Sequence, residues 1–217
     1  ARALLTTDHA PDLSTVERRL TLRADDGWIC AHGGTLVAKA ATEAPGIRLW
    51  FTAEGDNDVQ PLRDGTVDLD IGVIDDPTQE IRVEPLTQES WVPLVAADHP
   101  LTRGPVTWQR LVSHPYVAVS RPHGRFDELL ASHGLRRRVV AVTPTATAAA
   151  HLLFASDVVC LFMHTFATHA MERLGLRALR TPDPMPVVQV SQAWHPRSEN
   201  DPAHRWLRQT VKDLGHD

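Results

Sequence analysis

The first third of the sequence alternates between strand-like and helix-like segments, and this order constrains the fold more than any other feature. Residues 20–23, 47–52 and 67–73 are short and mostly apolar, as strands are. A helix that runs to about residue 43 separates the first two strands, and a shorter helix that ends at Gly65 precedes the third. Strands connected through helices pair in parallel with right-handed crossovers. The segment therefore predicts an α/β fold around a parallel sheet.

The pattern changes after residue 80, where two strand-like segments, 81–85 and 91–96, follow each other without a helix. Strand and helix patterns then alternate again as far as the proline-rich stretch 181–186, where each proline disfavours helix at the residue before it. We predict further strands at 116–120, 139–142, 158–162 and 187–194, and helices at 108–112, 126–132, 143–154, 165–174 and 201–214.

This order of elements predicts two α/β lobes. Residues 18–80 with 188–217 would form lobe I, residues 81–187 would form lobe II, and residues 1–17 would be the remnant of a linker. The chain would cross between the lobes twice, which makes a hinge. Because ligands of open α/β sheets bind outside the carboxyl ends of the strands, two such sheets facing each other would form one cleft.

The charge balance argues against this chain being the main nucleic-acid-binding surface. Its 22 Lys and Arg residues stand against 27 Asp and Glu, a net charge of -5, whereas phosphate contact needs clustered basic side chains. No segment approaches the roughly 20 apolar residues of a membrane span. No secretory signal opens the chain, which favours the cytoplasm. Cys30 and Cys160 each lie among apolar residues and are predicted to be buried free thiols.

Four short motifs add a family resemblance. They are Ala44-Pro45-Gly46-Ile47-Arg48-Leu49, Gly65-x-x-Asp68-Leu69-x-Ile71-Gly72, Asp98-His99-Pro100-Leu101, and the tail Trp194-His195-Pro196-Arg197 followed by Asp201-Pro202-Ala203-His204-Arg205-Trp206-Leu207-Arg208. In this order, and over nearly the whole chain, they resemble the effector-binding domain of LysR-type transcriptional regulators. The resemblance implies two Rossmann-like lobes joined by two crossover strands, which is a periplasmic-binding-protein-like fold of type 2.

The resemblance also implies a role as a sensor. A small-molecule effector, expected to be a small organic anion, would bind between the lobes and shift a conformational equilibrium. The domain would form a homodimer or tetramer, with lobe I of one chain against lobe II of another. DNA would be bound only through a helix-turn-helix domain that is expected to be missing from this chain. The helices at 26–43 and 146–154 favour such pairing because they are apolar on more than one face.

Candidate effector contacts lie where strands end and helices begin. Asp25 and Asp26 open the first long helix, where either carboxylate could cap the helix or face the cleft and favour a hydroxyl or an amine on the ligand. Thr143 and Thr145 open the helix 143–154. Free N–H groups there, with the helix dipole, could hold an anion or simply receive a cap.

Three further places complete the candidate set. Ser120 and Arg121 follow a strand, and the Arg121 guanidinium could pair with a ligand carboxylate or remain in solvent. Met163 and His164 follow the strand at 158–162 and could be effector contacts or a plain turn. Thr52, at the end of the second strand, is assigned to the same effector site.

Catalysis, a metal site and a cofactor are not expected. The sequence contains no Gly-x-Ser-x-Gly elbow, no phosphate-binding glycine loop and no Cys-x-x-Cys pair, and its histidines do not show a recognised metal spacing. Two alternatives to a regulatory domain stay open. One is a solute-binding protein of a transport system, which has the same two-lobe fold, and the other is an enzyme on the same scaffold.

Overall fold

Lobe I is built on the parallel strands that the sequence predicts. In the computed structural model, β1 (Arg18–Ala24) lies between β2 (Ile47–Ala53) and β3 (Leu69–Gly72) and pairs in parallel with both. The structure describes residues 13–53, 58–74, 78–120 and 124–215. The first five elements are β1 (Arg18–Ala24), α1 (Asp26–Glu43), β2 (Ile47–Ala53), α2 (Gln60–Asp64) and β3 (Leu69–Gly72). Gly65 ends α2 with a φ of 81°, a left-handed conformation that glycine adopts without strain.

Lobe II follows with its own set of alternating strands and helices, and the chain then returns to lobe I. The remaining strands are β4 (Arg82–Val95), β5 (Pro115–Val119), β6 (Arg138–Thr143), β7 (Val159–Met163), β8 (Arg177–Ala178) and β9 (Val187–Trp194). The remaining helices are α3 (Trp108–Val112), α4 (Arg125–Ser132), α5 (Ala146–Leu152), α6 (His164–Leu174) and α7 (Pro202–Leu214).

The strand β4 is where the sequence prediction was wrong. The segments predicted as two strands, 81–85 and 91–96, belong to one strand of 14 residues. Proline has no N–H to donate to a sheet, so a central strand rarely continues through a residue such as Pro85. The ladder between β4 and β9 instead shifts register between Pro85 and Thr87, and this irregularity lets the strand continue past the proline.

The two lobes share β4 and β9, which therefore form the hinge between them. The first part of β4 pairs antiparallel with β9 over Arg82 to Ser90, and its last part pairs with β7. The strand order is β2-β1-β3-β9-β4-β7-β5-β6, with β8 also on β4. The predicted lobe boundaries, 18–80 with 188–217 and 81–187, stay a prediction.

The C-terminal helix α7 closes the core of lobe I. Leu207, Val211 and Leu214 are buried against strand residues such as Leu22 and Leu69, as the amphipathic pattern predicts. Trp206 is only partly buried, and its indole Nε1 donates to Glu43 Oε2 at 2.9 Å. The return of the chain through β9 into α7 thus ties the last residues to the first helix.

The structure corrects two predictions, the start of the helix at 143–154 and the burial of Cys30. Thr143 does not open a helix, because it is the last residue of β6 and its backbone pairs with Val119 of β5. Thr145 is the N-cap of α5, and its hydroxyl accepts the N–H of Ala148 at 3.1 Å. Cys160 is buried as predicted, but Cys30 is exposed on α1.

The buried His204 makes lobe I sensitive to acid. Its Nδ1 lies 2.8 Å from a nitrogen of Arg208, which can only donate, so His204 Nε2 carries the proton and donates to Asp68 O at 2.8 Å. Burial, helped by the Arg208 charge, lowers the pKa of His204 below its usual value, and burial likewise lowers the pKa of His99. The neutral histidines are therefore the forms that fit the folded state.

We expect the free energy of unfolding to fall as the pH drops below about 6.5, the pKa of an unfolded histidine. Below this pH the unfolded chain binds a proton at each of these histidines, whereas the folded chain does not. The free energy of unfolding therefore falls by at most about 1.4 kcal/mol per pH unit for each histidine. Urea unfolding between about pH 5 and about pH 8, which brackets that histidine value, measures the slope. His204→Gln should flatten it, whereas His151→Gln, on an exposed side chain of α5, should not. Equal slopes in all three proteins would contradict the assignment.

Candidate functional site

The carboxylate of Asp25, the residue just before α1, caps the start of that helix. Asp25 is the N-cap, and its Oδ1 accepts the N–H of Trp28 at 3.0 Å. Burial raises the pKa of the Asp25 carboxyl, although the Trp28 N–H opposes this by stabilising the charged form, and the neighbouring charge of Asp26 adds to the rise. Asp25 therefore caps the helix, and its other predicted role, a contact with the effector, stays a prediction.

Asp26, the next residue, makes its contacts in the other lobe. Its Oδ1 accepts the N–H of Ala146 at 2.7 Å, and its Oδ2 accepts the N–H of Thr147 at 2.8 Å. Both donors belong to the first turn of α5, where N–H groups have no partner within the helix. The carboxylate also lies at the positive end of the helix dipole. Asp26 thus occupies the helix start that the sequence predicts as an anion site.

A second carboxylate, Glu89, holds the start of α6. It lies on β4 in the hinge and is only 6% exposed. Its Oε2 accepts the N–H of Thr165 at 3.1 Å, and its Oε1 accepts the Thr165 hydroxyl. The sequence analysis missed Glu89 because it placed this residue between two strands, where burial is not expected. The available signal was the strand-forming Thr87, Trp91 and Val92 around it, which favour one continuous strand.

Close packing brings α1 against both α5 and α6 at this junction. A Cβ atom on Gly27 would lie 3.2 Å from Cβ and Cγ of Phe166, so the backbone of α1 approaches α6 as only glycine allows. One turn further along α1, Cys30 Sγ lies 3.4 Å from Thr147 Oγ1 of α5. The two lobes therefore touch each other directly where the cleft was predicted.

The other predicted site residues lie at strand ends around this junction. Thr143 is buried, and its hydroxyl donates to Thr145 O at 3.0 Å. Ser120 is exposed, its φ is 57°, and its N–H donates to Thr143 O at 2.8 Å. A non-glycine residue in this conformation stores backbone strain of about 1–3 kcal/mol, a feature often found at functional sites. Thr52 is half-buried near the end of β2.

Two predicted residues mark the start of α6, and one prediction falls outside the described chain. Met163 is the N-cap of α6 and half-buried, and His164, the first helical residue, is exposed. Arg121 lies outside the described residues. The structure thus brings Asp25, Asp26, Thr145 and Thr143 into one neighbourhood, whereas a role for any of the nine residues in holding an effector stays a prediction.

Two open cavities lie away from the junction. One of about 650 Å³ is in lobe II, lined in part by Leu101, Arg177 and Arg180. Another of about 450 Å³ is in lobe I, between Trp194 and the charged face of α7. Neither is lined by a residue of the predicted effector site.

The comparisons with known proteins decide the family. The model of the LysR substrate binding domain matches residues 14–215. The chain belongs to this family. The transcriptional activator NahR of Pseudomonas putida is 30% identical over 207 residues, which are 94% of this chain and 69% of NahR. NagR of a Ralstonia species is 26% identical over 183 residues, which are 82% of this chain and 61% of NagR.

Solved structures of the family share the fold. The regulatory domain of MexT, a transcriptional activator in Pseudomonas aeruginosa, has a TM-score of 0.82 at 24% identity, covering 91% of this chain and 100% of that chain. The effector binding domain of QuiR, in complex with shikimate, has a TM-score of 0.71 at 18% identity, covering 93% of this chain and 98% of that chain. The predicted two-lobe, periplasmic-binding-protein-like fold is confirmed.

Among residues 13–53, 58–74, 78–120 and 124–215, no three His, Cys, Asp or Glu side chains come together in a way that could hold a metal ion. In the same part of the chain, every helix is too short or too polar to span a bilayer.

Proposed function

We propose that this chain is the ligand-sensing part of a LysR-type transcriptional regulator and that it holds a small-molecule effector between its lobes. The observation that supports this best is the junction of α1, α5 and α6. Three helix starts from two lobes meet there, close to the ends of β1, β6 and β7, and ligands of α/β sheets bind at such ends. The relatives are transcriptional activators, which does not favour the transport alternative.

The ligand that suits this junction is a small organic anion. The N–H groups of Ala146 and Thr147 donate to the Asp26 carboxylate, so a ligand carboxylate could take its place at the start of α5. Hydroxyl groups of Ser120 and Thr52 lie at neighbouring strand ends and can bond to polar groups of a ligand. The role is binding and not catalysis, and it is exercised in the cytoplasm, where the regulator would meet its DNA.

We expect a small carboxylate that binds in the cleft to raise the melting temperature of the protein. A ligand that binds only the folded state at about 100 times its Kd adds about 2.7 kcal/mol of stability. A thermal-shift screen of small carboxylates against their amides measures this. The screen should include shikimate, because QuiR, which shares the fold, is solved with it.

Variants locate the binding site in that screen. His164→Ala and Thr52→Val should weaken the shift caused by an active ligand, since His164 is the first residue of α6 and Thr52 lies near the end of β2. Arg180→Ala, in the cavity of lobe II, is the matched control and should leave it unchanged. The proposal is wrong if no carboxylate stabilises the protein, or if the shift depends on Arg180 and not on the junction residues.

Assembly is the second part of the proposed function. Val37 is an exposed apolar side chain on α1. In lobe II, exposed apolar side chains lie on β6 and at the end of α5, namely Val140, Val142, Leu152 and Phe154. The face of α1 around Val37 consists of small exposed residues, which allow close approach of another helix or strand. We propose a homodimer in which α1 of one protomer packs against this surface of lobe II in its partner, related by a two-fold axis. Contact with DNA is assigned to a part of the regulator other than this chain.

A further inference from the structure

The contacts of Asp26 differ in kind from those of an ordinary helix cap. The N-cap of α1 is Asp25, so α1 does not need Asp26 for this purpose. Both carboxylate oxygens of Asp26 accept hydrogen bonds from backbone N–H groups of α5, whose residues lie 120 and 121 positions further along the chain. Hydrogen bonds that involve a charged group are roughly twice as strong as neutral ones. The contact therefore joins the lobes and does little for the helix on which Asp26 lies.

Contacts between the lobes, such as those of Asp26 with α5, help to set the relative position of the lobes about the hinge. β4 and β9 run from one lobe into the other as an antiparallel pair, and a two-stranded ribbon bends and twists more readily than a packed core. The contacts of α1 with α5 and α6 join the two lobes outside the hinge. Breaking them would let the lobes move apart while each lobe keeps its own core.

We propose that Asp26 is a latch that holds the two lobes closed when no effector is bound. The carboxylate stands at the start of α5 in the closed state, and separation of the lobes withdraws it. An effector that enters the cleft must therefore release the latch, so its binding is coupled to movement of the lobes. This regulation rests on the proposed sensing function. The latch itself is a property of the ligand-free chain and can be tested without any ligand.

The native Cys30 allows a direct test of closure. Thr147 Oγ1 lies 3.4 Å from Cys30 Sγ, so Thr147→Cys would place a second thiol close to Cys30. The two thiols lie on different lobes, so they can form a disulfide only while the lobes are closed. Oxidised glutathione serves as the oxidant, and non-reducing gel mobility follows the reaction. Cys160 does not interfere, because it is buried in lobe II and burial raises its pKa to about 12.

We expect Asp26→Asn, added to Thr147→Cys, to slow disulfide formation by about tenfold, since a neutral amide accepts weaker hydrogen bonds than a carboxylate. Asp213→Asn is the matched control: Asp213 is an acidic residue on α7 whose bond is to Gln209 of the same helix. It should leave the rate unchanged. Equal rates in the two double variants would overturn the latch.

Amide exchange provides a second measurement that does not use the engineered cysteine. In the otherwise unaltered chain, Asp26→Asn should speed hydrogen exchange at the Ala146 and Thr147 amides by about tenfold, because opening exposes them to water. Amides of the buried face of α7 should not change. Unchanged exchange at Ala146 and Thr147 would overturn the proposal. If Asp26→Asn has no effect but a ligand raises the melting temperature, the latch is wrong and the sensing function stands. If Asp26→Asn has the expected effects but no carboxylate raises the melting temperature, the sensing function alone is wrong.

Discussion

Asp127→Ala is expected to lower the free energy of unfolding by about 3 kcal/mol, the usual cost of removing one partner of a buried ion pair. Arg137 Nε and one of its terminal nitrogens donate to the two Asp127 oxygens at 2.9 and 2.8 Å. The Arg137 side chain is almost fully buried, and its guanidinium lies over the rings of Tyr116 and Phe126 at 5.3 Å. The pair therefore ties α4 to the core of lobe II.

Urea unfolding of the purified chain measures this loss. Asp213→Ala, which removes an acidic residue from the exposed face of α7, is the control and should change stability by less than about 0.5 kcal/mol, as surface substitutions do. A loss for Asp127→Ala no larger than for this control would show that the pair contributes little. Arg137→Met, which keeps the packing and removes the buried charge, should cost less than Asp127→Ala, because the Asp127 carboxylate that it leaves unpaired is 25% exposed to solvent.

Val37→Asp is expected to convert the proposed homodimer into monomers at tens of micromolar protein. Val37 is 50% exposed on α1, and we place it at the centre of the proposed interface. A carboxylate there would be buried against Leu152 and Phe154 of the partner without compensation. Such a substitution at an interface centre weakens association by about 2 kcal/mol or more, which is about thirtyfold in Kd.

Sedimentation equilibrium decides the outcome, and the chain offers a close control. Val187 is also 50% exposed, but it lies at the start of β9 in the hinge and outside the proposed interface. Val187→Asp should leave the dimer intact. A wild-type chain that sediments as a monomer, or a dimer that both aspartates disturb equally, would rule out this arrangement.

The proposed latch and the predicted anion site concern the same place in the molecule. The sequence analysis expected an anion at the start of α5, and the anion found there is Asp26 of the chain itself. The two lobes are consequently in contact where a ligand is expected, and the open cavities lie elsewhere. The state described is thus best understood as closed, which is why lobe movement and ligand binding are expected to depend on each other.

Features that depend on neighbours in the sequence were predicted well. Asp25 caps α1 through a residue three positions away, and Gly65 ends α2 by its own conformation. The alternation of strands and helices sets the parallel sheet of lobe I, and the apolar spacing of the last helix sets its buried face. Such features follow from the backbone and side-chain preferences of a few adjacent residues.

Errors occurred where a distant strand or helix decides the local structure. Pro144 suggested a helix that begins at Thr143, but pairing with β5 extends β6 through Thr143 and moves the helix start to Thr145. The segments 81–85 and 91–96 were predicted as separate strands, but the ladder to β9 joins them into β4. The exposure of Cys30 could not be inferred from its apolar neighbours, because it depends on which face of α1 meets the sheet.

The sequence by itself determined the α/β class, the order of most elements, the family motifs and the caps of α1 and α2, because these arise from local spacing. Only the tertiary structure decided that Asp26 binds the start of α5 and that Glu89 is buried at the start of α6. The partners in these contacts are 76 to 121 residues apart in the chain. Whether a carboxylate caps its own helix or another one depends on how two lobes pack, and local preference contains no information about that packing.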